Sequence, residues 1–514
     1  MNVSLCGRLT CWFLILVLAV QSVIPAVFAF KLPFKHQLNQ LNEPNIATQP
    51  SVKTPEAETY QALKSETHPT LNWVAEFPML RWWEAVGDEQ LNYLVVKAMA
   101  NNPTLLAERQ TVSVAKANVK TMFAKELPHL QIAGSFNRQK NSKNLTVPSQ
   151  AQFATNGPRL FAPGQTVNIY NLPLSASYDL DPFFRKRLAT KSAQASLEAV
   201  QLRYRLAQLV LSTQVVQAYA TWLKARSEQL TLQQELLLLE QELRLNELQY
   251  AQGLVVRSPI NTLEQKETAL REALKNAETA EFQWGVALAT LTGETAGVET
   301  LTPKPLPALA TLQKLPLTVG VPAQLVENRL DVAASAFDLK AAGLDVQTAK
   351  RAFFPTISLT GQVGLASTKI NNWFSWDSLL TSLASSVTQP LFMGGALKAD
   401  LAAKKATYEQ HIFDYKANLL NAYEAVEKQL ATLQNLQARS LQVVRSKGLA
   451  EQNVGFAQAR FKQGLSDFKP VVQAEQEVLQ TEKQLLSIQE ATLKAWSQLM
   501  LEVGGGNNTE SQSQ

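Results

Sequence analysis

Hydrophobic and polar positions recur at helical spacing along most of this chain, in two places for far longer than a globular core requires. From Arg185 to Gln252 there are 68 residues without a proline or glycine. An unbroken helix of that length spans about 100 Å. Within it Leu206, Leu209, Thr213, Val216, Ala220 and Leu223 step by three and four, and Leu211, Val215, Ala218, Trp222 and Ala225 form a second stripe beside them. Two neighbouring stripes predict a helix packed on two sides, as a stave in a wall; a broad face in a solid bundle shares that periodicity. Gly395 to Gln463 is nearly as clean, with only Gly448 and Gly455 inside it. Leu91 to Glu126 also reads as helix, apart from a turn at Asn101-Asn102-Pro103.

Two segments change period. In Phe354 to Leu365 the apolar residues Ile357, Leu359, Val363 and Leu365 alternate with Thr356, Ser358, Thr360 and Gln362. Earlier, Leu130, Ile132, Gly134 and Phe136 alternate with Gln131, Ala133, Ser135 and Asn137. Period two predicts strands. Each is followed by a loop, carrying Asn156-Gly157-Pro158 in one case and Asn371-Asn372-Trp373 in the other, and then by a second strand-like segment.

The arrangement repeats. Leu127-Pro128-His129-Leu130 reappears 227 residues later as Phe354-Pro355-Thr356-Ile357, and Asn101 falls on Asn328. Tyr250, Gly253-Leu254 and Pro259 reappear 211 residues later as Phe461, Gly464-Leu465 and Pro470. A duplicated unit of helix, two strands and a long helical hairpin follows. The chain divides into a signal segment at 1–29, an extended arm at 30–80, a first repeat at 81–300, a Pro-rich connector at 301–322, a second repeat at 323–503 and a tail at 504–514. The first repeat holds strands at about 127–137 and 167–180 and a coiled-coil hairpin at about 185–292; the second holds strands at about 353–367 and 380–392 and a hairpin at about 395–501.

The amino terminus sets the compartment. Arg8 precedes the apolar run Leu9 to Val20; Pro25 breaks it, and Val27-Phe28-Ala29 predicts cleavage after Ala29. An uncleaved anchor is the alternative. Cys6 and Cys11, the only two cysteines, lie inside this segment, and neither follows a lipidation box. Thiol catalysis, cysteine zinc sites and a disulfide framework are therefore disfavoured. No later stretch approaches the ~20 apolar residues of a spanning helix. Charged residues make up only 18%, against about 25% in ordinary soluble domains. A net charge of +5, dispersed along the chain, is no nucleic-acid footprint.

Four alternating strands beside such helices fit a membrane sheet, with one face on lipid and the other on water. Open edges cannot face lipid, so the strands must be completed by further copies. Two copies give eight strands with a filled interior; three give twelve and a lumen.

Several motifs then resemble one family. Trp82-Trp83, Gly87-Asp88, Asn101-Asn102-Pro103, Tyr178-Asp179-Leu180-Asp181, Val321-Pro322, Arg329, Asp331, Phe353-Phe354-Pro355, Gln389-Pro390-Leu391-Phe392 and Gly394-Gly395 are similar to the TolC-like outer-membrane factors, especially their multidrug-efflux branch. The resemblance covers roughly 80–502. Phe184 stands where the family usually has Gly, Leu330 where it has Pro, and Gln473 where many members carry an Asp ring. The resemblance implies a mainly α fold with a β-barrel part: a homotrimer with a twelve-strand barrel in outer-membrane lipid and a periplasmic α-helical tunnel. It implies partners in a periplasmic adaptor protein and a proton-driven inner-membrane transporter, with no nucleic acid, no cofactor, no metal and no catalytic residues. The sites it implies are adaptor-docking tips at Gly253, Leu254, Gly464 and Leu465 and a periplasmic aperture near Asp467 and Gln473.

Residue chemistry points the same way at the tips. Each Gly permits the left-handed turn that reverses the chain and leaves the next Leu near an exposed end, where a partner would cover it. Helix caps alone would also use these glycines. The competing functions are an exit duct for protein secretion, which shares the fold, and a periplasmic coiled-coil scaffold, which the period-two segments disfavour. An enzyme is the weakest reading. His129 has no acid or second His beside it, Asp179 and Asp181 fit capping of the long helix, and Trp373 and Trp376 fit a membrane interface.

Overall fold

The computed structural model describes residues 73–74, 79–144, 164–295, 304–315, 317–318 and 329–504. They all belong to one of two compact units, Pro55–Gln514; the other, Met1–Thr54, lies outside the described residues. So do the predicted signal segment, most of the arm, Asn156-Gly157-Pro158, Val321-Pro322, Asn328 and the tail beyond Gly504.

A two-residue strand β1 (Trp73–Val74) and a 3-10 segment (Met79–Val86) lead into helices α1 (Glu89–Asn101) and α2 (Pro103–Ala124). Strands β2 (His129–Ile132), β3 (Ser135–Lys140) and β4 (Thr166–Leu180) follow, then the hairpin of α3 (Arg185–Ala251) and α4 (Arg257–Leu291). A connector with one helical turn (Leu309–Leu312) and β5 (Leu317–Thr318) leads to α5 (Leu330–Arg351) and strands β6 (Thr356–Ser367) and β7 (Leu379–Thr388). The hairpin of α6 (Ala396–Lys462) and α7 (Lys469–Glu502) completes the second repeat.

Three predicted strand bounds are corrected. The strand expected over 127–137 is two, β2 and β3, broken at Ala133-Gly134. Opposite the break stands Pro173, which offers only its carbonyl; the Ala133 N–H donates to it at 3.1 Å. The strand expected over 380–392 ends at Thr388, just before Gln389-Pro390, since Pro390 has no N–H for a ladder. The strand expected from 353 begins at Thr356, because Phe353 and Phe354 close the last turn after α5, their N–H groups donating to Lys350 and Arg351 carbonyls.

Local chemistry explains where the helices start. Asp88 caps α1, its Oδ1 accepting from the Gln90 N–H at 2.9 Å. Asn102 ends α1 and caps α2, accepting from the Leu105 N–H at 3.0 Å ahead of Pro103 in the first turn. Entry into α3 is a sharper corner. Phe184 sits at φ +58°, the one non-glycine residue of positive φ among the described residues. In the second repeat its counterpart, 211 residues on, is Gly395 at φ +86°. The left-handed conformation costs Phe184 about 1–2 kcal/mol. Asp181 offsets this: its carboxylate accepts from the N–H groups of Arg185, Lys186 and Arg187 at 2.7, 2.7 and 3.2 Å, satisfying three orphan donors at the positive end of a 67-residue helix.

Helix α3 packs against α2, α4, α5 and α7, so it is covered on more than one side. Both predicted stripes are buried, except that Leu206 is half-buried. The main core joins them to Trp82, Trp83, Leu91, Trp496 and Met500. Trp82 donates from Nε1 to Ser212 Oγ at 3.2 Å and meets Trp496 edge-on at 5.3 Å between ring centroids. The Tyr219 hydroxyl donates to Asp88 Oδ2 at 2.7 Å, and burial together with that carboxylate pushes the phenol well above its usual range. The Trp-Trp and Gly-Asp motifs thus fasten the start of the first repeat onto both hairpins.

The connector is more than a link. Leu306, Leu309, Leu312 and Leu315 are buried, at a spacing of three, and β1 pairs in parallel with β5. Arg329 forms a second fastening. It holds Asp331 through Nε and NH2 at 3.0 and 2.8 Å and also reaches the Glu502 carboxylate and carbonyl at the end of α7. Burial opposes charge on Asp331, but the Arg329 guanidinium wins and holds its carboxyl below the usual carboxylate range.

Candidate functional site

The period-two segments assemble into one antiparallel sheet, ordered β2 with β3, β4, β6, β7. Since β2 and β3 are one interrupted strand along β4, four strands cross the sheet. The register decides which side chains share a face, because directly opposed residues point the same way. Ile357 opposes Leu180 and Val387, Leu359 opposes Tyr178, Val363 opposes Leu174, and Leu365 opposes Leu172 and Leu379. Leu130, Ile132 and Phe136 join this face opposite Ala176, Leu174 and Tyr170. The other face carries Gln131, Asn137, Asn171, Ser175, Ser177, Ser358, Thr360, Gln362, Ser382 and Ser386. Thr381 and Ser385 are polar exceptions on the apolar face. Among the described residues no core covers that apolar face; Leu130, Ile132, Phe136, Val363, Leu383 and Val387 are all exposed.

Aromatic residues mark both ends. Away from the helices, Phe136, Tyr170, Trp373 and Phe374 form a chain with centroids 4.9, 5.7 and 5.1 Å apart, and Trp373 and Trp376 belong to this end. At the helix end Phe183 stacks on Phe354 at 4.8 Å. From Tyr170 to Leu180 a strand rises about 33 Å, or about 25 Å along the normal at the ~40° tilt of membrane barrels. That matches the height of a lipid-facing apolar band between two aromatic girdles.

A close approach fixes the middle of the sheet. Pro173 opposes Gly364. A Cβ on Gly364 would lie 2.4 Å from the Leu172 carbonyl oxygen and 2.5 Å from Pro173 Cα, both backbone atoms. Gly361, three residues away, would meet only a Leu383 methyl at 3.9 Å. Among the described residues, β2 and β3 at one edge and β7 at the other have no partner on their outer sides, and every residue of these strands is exposed.

The two faces make an immediate prediction. Leu359→Arg is expected to lower sheet stability by about 2–4 kcal/mol and impair assembly in membranes, as a charge on a lipid face near midplane does. Thr360→Arg, on the polar face, is expected to assemble normally. Heat stability of the assembled protein checks this; equal effects would refute the assignment of faces.

At the far ends of the hairpins the two turns have the same geometry. Gly253 and Gly464 have φ +73° and +70°. The Gly253 N–H donates to Tyr250 O and the Leu254 N–H to Gln249 O, both at 2.9 Å; the Gly464 N–H donates to Phe461 O and the Leu465 N–H to Arg460 O, also at 2.9 Å. These are Schellman caps, which commonly fold the residue after the Gly back onto its helix. Here it is not folded back: Leu254 is 70% and Leu465 65% exposed. A strap crosses each turn at matched positions, with Arg257 over the Tyr250 ring at 5.9 Å in one and Phe461 edge-on to Phe468 at 5.4 Å in the other. Asp467 lies in the second turn, and Gln473 is in the early part of α7; both are exposed.

Some of these residues the sequence singled out: the tips and the strand faces. Three were missed. Glu502 meets Arg329 from 173 residues away, and no local pattern announces it. Gly364 is one of several strand glycines, and its role depends on Pro173 across the ladder. The period-three leucines of the connector were legible but lay among prolines.

Comparisons with known proteins agree with this geometry. A family model described as Outer membrane efflux protein matches residues 94–295 and 321–505. The pyoverdine export outer membrane protein OpmQ of Pseudomonas putida is 28% identical over 454 residues, 86% of this chain and 92% of its own length. The toluene efflux pump outer membrane protein TtgF of Pseudomonas putida is 26% identical over 469 residues, 89% of this chain and 92% of its own. The outer membrane protein VceC of Vibrio cholerae superposes with a TM-score of 0.72 at 24% identity, covering 84% of this chain and 100% of that one.

Proposed function

This chain belongs to the outer membrane efflux protein family, and from that premise we propose that three copies close the sheet into a twelve-strand barrel with a water-filled lumen. It is the outer-membrane channel of an efflux system; the trimer, its partners and its sites are our reading. The single observation that carries the trimer is a two-faced sheet of four crossing strands with both edges unpaired among the described residues. Closure in lipid demands more strands, and three copies are the smallest number that leaves a lumen. Helix α6 supports the presence of neighbours. Within its own chain it packs mainly on α5 and α7, leaving Phe413, Leu420 and Phe456 exposed for another copy to cover.

The helical hairpins continue the wall as a periplasmic tunnel. An adaptor meets the tips through Leu254 and Leu465, with Gly253 and Gly464 shaping the turns, and Asp467 and Gln473 lie by the closing end. A proton-driven inner-membrane transporter supplies the energy and selects the solute; the duct itself performs transport and no catalysis. Serine, threonine, asparagine and glutamine dominate the polar face, a lining that passes many solutes and grips none.

Complementation tests the function. In cells lacking their own duct, this chain produced with its adaptor and transporter is expected to lower accumulation of a fluorescent pump substrate. Unchanged accumulation, with the protein present in the outer membrane, would reject the efflux assignment.

A further inference from the structure

The apolar face of the first strand changes character at its outer end. Leu130, Ile132 and Phe136 share that face, and the next two residues in the same parity are Arg138 and Lys140. The register places Phe136 opposite Tyr170, Arg138 opposite Asn168 and Lys140 opposite Thr166. On the other side of β4, Tyr170 opposes Ser367, so Lys369 lies two residues beyond the same level. Arg138 faces Asn168 across one side of β4, and Lys369 follows the end of β6 on the other side, in a bend where its N–H donates to Ser367 Oγ at 3.2 Å.

All three cations are exposed, and among the described residues none has a carboxylate partner. Asn168 Oδ1 is buried without a hydrogen-bond partner among the described residues. Asp377 is the only acid in the described outer loops. The cations stand one step above the Phe136–Tyr170–Trp373 girdle, which is headgroup level for a lipid whose chains cover the apolar band.

We propose that Arg138, Lys140 and Lys369 bind the phosphate groups of an outer-leaflet glycolipid, its acyl chains lying on the apolar face of the sheet. This rests on the outer-membrane reading above. Arg138 offers the forked donors suited to phosphate, and the lysines add point charges. A lipid is the occupant because Arg138 and Lys140 continue the apolar band on one face, with Lys369 just past the end of β6. A free phosphate would use the cations and leave the band bare.

Native mass measurement on the detergent-purified oligomer tests the proposal. The probes are an acylated diglucosamine bisphosphate, the same lipid without phosphates, and inorganic phosphate. The wild type is expected to retain the bisphosphorylated lipid selectively, and Arg138→Gln/Lys140→Gln/Lys369→Gln to bind it roughly 10- to 100-fold more weakly. Oligomer yield and heat stability without lipid should be unchanged, which separates this result from a failure of the membrane reading itself. Equal retention by the variant, equal binding of the dephosphorylated lipid, or full displacement by inorganic phosphate would overturn it. Loss of the oligomer without lipid would also overturn it, because the cations would then serve the seam between copies, for instance against Asp377 of a neighbour.

Discussion

Gly364→Ala is expected to abolish recovery of the heat-stable oligomer from membranes. One added methyl would sit 2.4 Å from the Leu172 carbonyl oxygen and 2.5 Å from Pro173 Cα. Neither atom is the end of a flexible side chain, so the strands themselves must part. Overpacking typically costs about 1–3 kcal/mol where side chains can shift; here the backbone ladder between β4 and β6 must open, and the cost falls at or above the top of that range. Gly361→Ala is the matched control, because its methyl meets only a Leu383 side chain at ordinary distance. Gel mobility of unheated samples reads both. A stable oligomer from Gly364→Ala would show that β4 and β6 do not hold this register.

The second large effect lies at the opposite end of the chain's long axis of helices. Leu254→Glu combined with Leu465→Glu is expected to abolish efflux while leaving membrane insertion and oligomer yield unchanged. Both leucines are exposed, and exposed substitutions typically move stability by no more than about 0.5 kcal/mol. The backbone bonds of the two caps do not involve the leucine side chains and survive the change. On the proposed docking, what is lost is apolar contact of about 1.5–3 kcal/mol per leucine that the adaptor buries, at both tips of every chain, with a carboxylate put in its place. Substrate accumulation in cells, measured beside outer-membrane yield, decides the matter. Normal export, or failure through lack of assembly, would remove the docking role from these residues.

These two results also mark how far the sequence could be read. The long helices were legible because α3 has no proline or glycine, α6 has only Gly448 and Gly455, and apolar positions along α3 repeat at helical spacing. The tips were legible because Gly-Leu recurs after 211 residues in the same setting. The strand faces followed from period two alone. What was hidden depends on residues that meet only in the fold. The break between β2 and β3 is caused by Pro173, 40 positions from Ala133 and across a ladder. The Arg329 fastening needs Glu502, at the other end of the second repeat. Phe184 breaks the usual preference for Gly at a left-handed corner, and its tolerance is explained by Asp181, whose three backbone bonds secure the turn. The cations at the outer end of the sheet gain meaning only from register, which puts Arg138 and Lys140 on the apolar face.

The central claim is that this chain cannot complete its membrane sheet alone. Native mass measurement of the protein extracted from outer membranes in mild detergent tests it most directly. The account predicts a complex of three copies that needs detergent to remain in solution; a stable single chain, soluble without detergent, would contradict it.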